Sequence, residues 1–311
     1  SVQLIRKGWF IIMRLLYGVT VPLVTPLTKE RTLDISSLEH LTDFLIEKGI
    51  HCLYPGGTTG EMMLMGMEDR KVLAETVVRQ TAGRAVVYIQ AGAVNQADTI
   101  TLAKHAVDIG ADGIGVVTPV FYKLSDRELV SYYQSVCRSV PSDFPVYLYA
   151  IPQCAVNDIT PALAEELAET CPNIAGIKYS YPNMSRIQEF MTIRSGSFSV
   201  LCGPDELFCA TVLTGGAGTV SGNAQVIPEH YVAIWNALER GDIPTAVSLQ
   251  RKTNQLNQIL SNDHNIARYK AALKYRKILS DASTYAPLEP LSEAESRSMS
   301  DMLEELKFTE I

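Results

Sequence analysis

No apolar run in this chain approaches the roughly 20 residues that a helix needs to cross a bilayer. Cysteine is sparse and unpatterned: Cys52, Cys137, Cys154, Cys171, Cys202 and Cys209 are scattered without a CxxC pair. Metal-ligand spacing is therefore missing, and a chain of 311 residues builds a core without disulfides. Free thiols in a reducing, cytoplasmic compartment are the simplest expectation. Positive charge is also in short supply. The 27 Lys+Arg against 34 Asp+Glu leave a net charge of −7, which disfavours a general affinity for nucleic acid or anionic membrane. The five histidines (His40, His51, His105, His230 and His264) show no ligand spacing, so no metal is expected. Phosphate-binding signatures are absent too, since no GxGxxG follows the first candidate strand and no Gly-Lys-Ser/Thr occurs. What the chain does have is 47% hydrophobic residues against 20% charged, enough to fold around a substantial core.

Short apolar runs alternate with longer amphipathic stretches. Candidate strands are 18–24, 52–55, 86–91, 113–117, 146–150, 174–178, 199–202 and 219–221. They are nearly continuous in apolar residues, as parallel strands covered on both faces must be. Helix starts are signalled between them. Ser36 with Glu39, Ser125 with Glu128 and Ser292 with Glu295 fit capping boxes, and Thr160 before Pro161 fits an N-cap with proline at the first turn. Eight strand–helix units predict an α/β (β/α)8 TIM barrel with a C-terminal helical extension. A doubly wound open sheet looks the same locally, but the count of eight and the missing GxGxxG favour the barrel.

The predicted organisation is a barrel over 14–222 and a last barrel helix with helical extension over 223–311. Residues 1–13 are expected to be leader or added residues outside the core. Their apolar patch, Trp9 to Ile12, is short, is soon followed by Arg14 and lacks a small-residue cleavage site, unlike a secretory signal. The basic run Arg268, Lys270, Lys274, Arg276 and Lys277 reads as a solvated helix face.

In such a barrel chemistry belongs at the carboxyl ends of the strands. Lys178 ends the apolar run Ile174-Ala175-Gly176-Ile177. A strand that apolar desolvates an ammonium and favours the neutral amine, which attacks a ketone to form a Schiff base. An ion-paired or exposed strand-end lysine is the plain alternative. Gly56-Gly57-Thr58-Thr59-Gly60-Glu61 follows the second strand and offers backbone N–H groups and two hydroxyls to a carboxylate, or else is an ordinary tight turn. Tyr149, on the same side of its strand as Tyr147, is either a packed ring or a phenol that relays protons. Gly215-Gly216-Ala217-Gly218 reads as a helix-to-strand turn more than as a phosphate cup.

Together these residues resemble the pyruvate-dependent class I aldolase superfamily, which includes dihydrodipicolinate synthase and N-acetylneuraminate lyase. The marks are Gly57-Thr58-Thr59-Gly60-Glu61, Tyr149 with Pro152, and Gly176-Ile177-Lys178, with weaker echoes at Gly203-Pro204-Asp205-Glu206 and Asn265-Ile266-Ala267-Arg268-Tyr269-Lys270. The resemblance implies that Lys178 forms the Schiff base with pyruvate or another 2-keto acid. It implies that Thr58 and Thr59, with Gly57, bind the carboxylate, that Tyr149 and Thr59 relay protons, and that the Val220 carbonyl orients lysine or ligand. It further implies an enzyme with no metal or organic cofactor and a homotetramer built as a dimer of dimers.

The departures concern the second substrate. The synthase pattern Tyr-Asn-x-Pro-x-Arg reads here Tyr149-Ala150-Ile151-Pro152-Gln153-Cys154. Cys154 stands where the arginine would take the carboxylate of aspartate semialdehyde, and a thiol makes no bidentate charge-assisted contact. Phe121 occupies the place of the family's inter-subunit tyrosine, with Tyr122 beside it. The expectation is a Schiff-base lyase that makes or breaks a C–C bond between pyruvate and an aldehyde, of the 2-keto acid aldolase or dehydratase type. Authentic 4-hydroxy-tetrahydrodipicolinate synthase is the alternative among enzymes. A non-catalytic keto-acid-binding relative is the alternative outside them.

Overall fold

The computed structural model describes residues 14–261 and 265–311. The expectations for residues 1–13 and for His264 lie outside the described residues. Eight parallel strands close into a barrel in sequential order: β1 (Gly18–Val21), β2 (Cys52–Leu53), β3 (Val86–Gln90), β4 (Gly113–Val117), β5 (Val146–Ala150), β6 (Ile174–Tyr179), β7 (Ser199–Cys202) and β8 (Gly218–Val220). Nearly every strand residue is buried, as the continuous apolar runs require. Three strands are shorter than the apolar runs suggest, β3 only by Ala91 and β1 and β2 by more. Pro22 follows Val21 and has no N–H to continue the ladder, and β2 ends before Tyr54-Pro55 for the same reason.

Between the strands run α1 (Ile35–Glu47), α2 (Met67–Thr81), α3 (Gln96–Asp108), α4 (Asp126–Arg138), the single turn α5 (Pro152–Ala155), α6 (Pro161–Thr170), α7 (Met184–Phe190) and α8 (Phe208–Leu213). After β8 the chain is helical in α9 (Pro228–Glu239), α10 (Ile243–Leu260), α11 (Asn265–Tyr275) and α12 (Glu293–Glu305). The Ala286–Pro290 stretch separates the last two, with a cis Ala286–Pro287 peptide. The capping boxes of Ser125 with Glu128 and Ser292 with Glu295 are both present, and Thr160 caps α6 through the Leu163 N–H. The expected box at Ser36 is absent. Asp34 caps α1 instead, accepting from the Ser37 N–H at 3.0 Å and also from the Ser37 hydroxyl at 2.7 Å. A carboxylate two residues upstream, favourable at the positive helix end, outcompetes the serine.

The chain divides into two compact units. One comprises the described residues up to Gly18 with Val86–Val220, and the other comprises Val19–Ala85 with Ser221–Ile311. The first unit carries β3 to β8. In it Val117 of β4 registers with Tyr149 of β5, and Tyr149 registers with Lys178 of β6. Gly176 permits this packing, since a Cβ there would lie 2.0 Å from the Ser199 carbonyl oxygen of β7. The second unit pairs β1 with β2, Thr20 opposite Cys52, and carries the C-terminal helices.

Candidate active site

Lys178 is a buried amine on β6 in the first unit. Both faces of β6 are covered, and Lys178 is only 5% exposed. Its Nζ lies 4.0 Å from the centroid of the Tyr149 ring, itself 1% exposed. Desolvation pulls the amine from its ordinary 10.5 to about 7. A ring face favours an ammonium by on the order of 2 kcal/mol at a dry site. A drop to about 7 corresponds to ~5 kcal/mol. Desolvation is the larger effect, and a substantial share of Lys178 is neutral amine near pH 7. The register of β5 against β6 therefore joins two of the sequence-predicted residues in one contact. Tyr147, on the same side of β5, packs edge-to-face on Tyr88 with ring centroids 5.3 Å apart.

In the second unit the loop after β2 folds into a tight turn. Glu61 N–H donates to the Thr58 carbonyl at 3.0 Å and Met62 N–H to the Gly57 carbonyl at 3.2 Å. The Thr25 hydroxyl fixes the Gly60 carbonyl at 2.7 Å. Within this turn Gly57, Gly60 and Glu61 are buried while Thr58 and Thr59 are half-buried. The outcome is a pinned backbone that carries two adjacent, half-buried threonines. Glu61 itself has φ of +64° and forms a fully buried ion pair with Lys270, Nζ to Oε2 2.5 Å.

The residues expected at the second substrate occupy loops of the first unit. Cys154 lies in α5, directly after β5, and is exposed, with burial of its surroundings pushing the thiol up and keeping it uncharged. Its neighbour Gln153 donates to the Ser180 carbonyl at 2.7 Å. Phe121 and Tyr122 are 82% and 73% exposed on the loop after β4, edge-to-face at 5.1 Å, with Phe121 at φ of +73°. Buried Asn157 pins that loop, donating to the Pro119 and Tyr122 carbonyls at 2.8 Å each and accepting from the Leu124 N–H at 2.9 Å. Val220 is buried at the carboxyl end of β8.

Gly215 to Gly218 forms the turn from α8 into β8, with Gly216 N–H on the Thr211 carbonyl and Ala217 N–H on the Val200 carbonyl. It precedes the strand, away from the carboxyl ends. His40, His51 and His230 are engaged with the Ile278 carbonyl, the Val19 N–H and the Phe308 carbonyl respectively.

The basic run on α11 is not a solvated face. Lys274 and Lys277 are exposed, but Lys270 is fully buried against Glu61 and Arg276 pairs with Glu229 at 2.8 Å. Helical spacing holds the missed signal: Lys270 stands three residues from both Ala267 and Leu273, which places it on their buried side.

A sequence model of the dihydrodipicolinate synthetase family matches residues 15–306. The chain is 36% identical over 250 residues to the probable 2-dehydro-3-deoxy-D-pentonate aldolase YjhH of Escherichia coli, covering 79% of this chain and 82% of that one. It is 33% identical over 277 residues to a 4-hydroxy-tetrahydrodipicolinate synthase of Alcanivorax borkumensis, covering 89% and 93%. Among solved structures, the pyruvate complex of YagE, a prophage protein of the dihydrodipicolinic acid synthase family from Escherichia coli K12, superposes with a TM-score of 0.90. That match is at 31% identity and covers 95% of this chain and all of YagE.

Proposed function

The chain belongs to the dihydrodipicolinate synthetase family, whose members are lyases of the class I aldolase type, and from that premise we propose that Lys178 is its Schiff-base residue and a sugar-derived 2-keto-3-deoxy acid its substrate. The observation that carries this reading is the desolvated Lys178 amine seated on Tyr149. The neutral amine attacks the 2-keto carbon, one proton is taken up as water leaves, and an iminium forms. Cleavage then breaks the C3–C4 bond. The bonding pair moves into the iminium to give an enamine, the C4 hydroxyl proton passes to Tyr149, and an aldehyde departs. Protonation at C3 and hydrolysis return the amine and pyruvate. In the synthetic direction the same steps run backwards. Thr58 and Thr59, with the Gly57 backbone, hold the keto-acid carboxylate, and the Val220 carbonyl orients the lysine.

The aldehyde side follows from what Cys154 is not. An uncharged thiol supplies no counter-ion to a second carboxylate, so a neutral polyhydroxy aldehyde suits this loop better than aspartate semialdehyde. YjhH supports the same class through its name as a pentonate aldolase, and the pyruvate complex of YagE supports pyruvate as the shared keto acid. The likeness to the Alcanivorax borkumensis synthase keeps aspartate semialdehyde as the comparison substrate. Exposed Phe121 and Tyr122 suit burial against a second copy in a homotetramer, and six free thiols suit a reducing cytoplasm.

The test is reduction with cyanoborohydride in the presence of pyruvate, followed by peptide mass spectrometry and an aldehyde panel. The reading expects an adduct on Lys178 and turnover with sugar-derived aldehydes. Turnover with aspartate semialdehyde at or above about 1 per second would instead assign the synthase reaction. Pyruvate binding with neither adduct nor turnover would assign a non-catalytic binder.

A further inference from the structure

The turn that presents Thr58 and Thr59 does not hold its own shape. Glu61 closes it in the left-handed region, where residues with a side chain are uncommon. Its carboxylate is anchored from the C-terminal helices: Oε2 lies 2.5 Å from Lys270 Nζ on α11, and Oε1 accepts the Tyr285 N–H at 2.8 Å. Lys270 also donates to the Ser283 carbonyl at 2.8 Å, and the Tyr285 hydroxyl reaches Asp69 of α2 at 3.2 Å. The residue before Lys270 braces a second loop. A Cβ on Gly222, just after β8, would lie 2.8 Å from the Tyr269 ring. The Tyr269 hydroxyl is 3.4 Å from Ser261 Oγ, which donates to Asn223 at 2.9 Å.

Stability alone does not explain such a pair. Removing two charges from water costs about as much as their attraction returns, and apolar residues of similar volume commonly do as well. What an ion pair adds is direction: one oxygen, one nitrogen, one distance. Here that direction ties a strained corner of the turn to a helix far along the chain.

We propose that Lys270 and Glu61 are positioning residues, through which α11 holds the Gly57–Glu61 turn in the shape that offers Thr58 and Thr59 to the carboxylate of a 2-keto acid. The inference rests on the carboxylate role given to those threonines above. It makes keto-acid affinity a property of the C-terminal helices as much as of the barrel loops.

The experiment compares the parent protein with Lys270→Met and with the charge-free pair Glu61→Gln/Lys270→Met. The single variant leaves a buried carboxylate without its counter-ion and can fail to fold, so the double variant decides. In the folded double variant, KM for pyruvate rises about tenfold or more while kcat at saturation stays within about threefold, as for lost binding and not lost chemistry. Trapping of Lys178 by acetone, which has the ketone without the carboxylate, is unchanged. A folded double variant with the parent KM overturns the proposal, and so does equal weakening of acetone and pyruvate. Thr58→Val and Thr59→Val separate the two readings. If they leave the pyruvate KM unmoved, the carboxylate assignment fails and the brace with it. If they raise it and the double variant does not, only the brace fails.

Discussion

Among the described residues two lysines are buried, and their surroundings differ. Lys270 is enclosed with a carboxylate, Glu61, whose charge opposes the downward pull of burial on the amine. Lys178 is enclosed over the face of Tyr149, and desolvation takes its amine to about 7. A buried cation near a fitted anion is a fastener; a buried amine brought toward neutrality is suited to the nucleophilic role proposed for Lys178. Both are enclosed by the fold, so what separates them is the partner each is brought to.

That contrast can be broken by putting the same substitution at both positions. The largest effect is expected for Lys178→Met, where turnover falls by on the order of 10^5-fold or more because the covalent step has no amine. Steady-state assays with pyruvate and the best aldehyde of the panel measure it. Tyr149→Phe comes next. It lowers kcat by about 10^2- to 10^4-fold by removing a proton relay, while Lys178 is still trapped by pyruvate. Loss of trapping in that variant would mean that Tyr149 shapes the amine's environment instead of moving protons.

On stability the two Lys→Met changes should differ in sign. Lys270→Met leaves Glu61 charged and enclosed and costs about 3 to 5 kcal/mol in denaturant unfolding. Lys178→Met is stabilising, and its pH dependence follows from proton binding. The unfolded lysine keeps its proton to about 10.5 and the folded one gives it up near 7. Between those values the unfolded chain binds more protons, so stability rises with pH across that window. The penalty is fully present below pH 7 and gone above 10.5. The variant therefore gains most over the parent at pH 6, and the gain shrinks by pH 9. A constant difference at both pH values would show that Lys178 is not desolvated as an ion. The smallest effect, about 1 kcal/mol, is expected for Ser125→Ala, which removes a capping box in contact with neither lysine and leaves KM unchanged.

The sequence shows one member of this comparison and hides the other. Lys178 is legible because it breaks an otherwise apolar strand, and a closed barrel of eight such strands assigns its end to chemistry. The same alternation delivers Tyr149, whose partner in register is Lys178 itself. Lys270 is illegible as a run of charges. Four basic neighbours on α11 and beyond suggest a solvated face, and only the spacing to Ala267 and Leu273 argues otherwise. Its partner Glu61 lies more than two hundred residues away, a pairing that local pattern cannot specify. The cap of α1 fails for a related reason: Ser36 and Glu39 satisfy the motif, but Asp34 two residues earlier is the stronger acceptor and also reaches Ser280 near the end of the chain.

The most direct test of the account is the pH dependence of initial trapping of pyruvate by cyanoborohydride, read as the adduct on the Lys178 peptide. The expected result is an adduct at Lys178 alone, with a rate limited by the neutral amine that climbs through a midpoint near pH 7. An adduct elsewhere, no adduct, or a rate that climbs only towards the ordinary lysine value near 10.5 would contradict it.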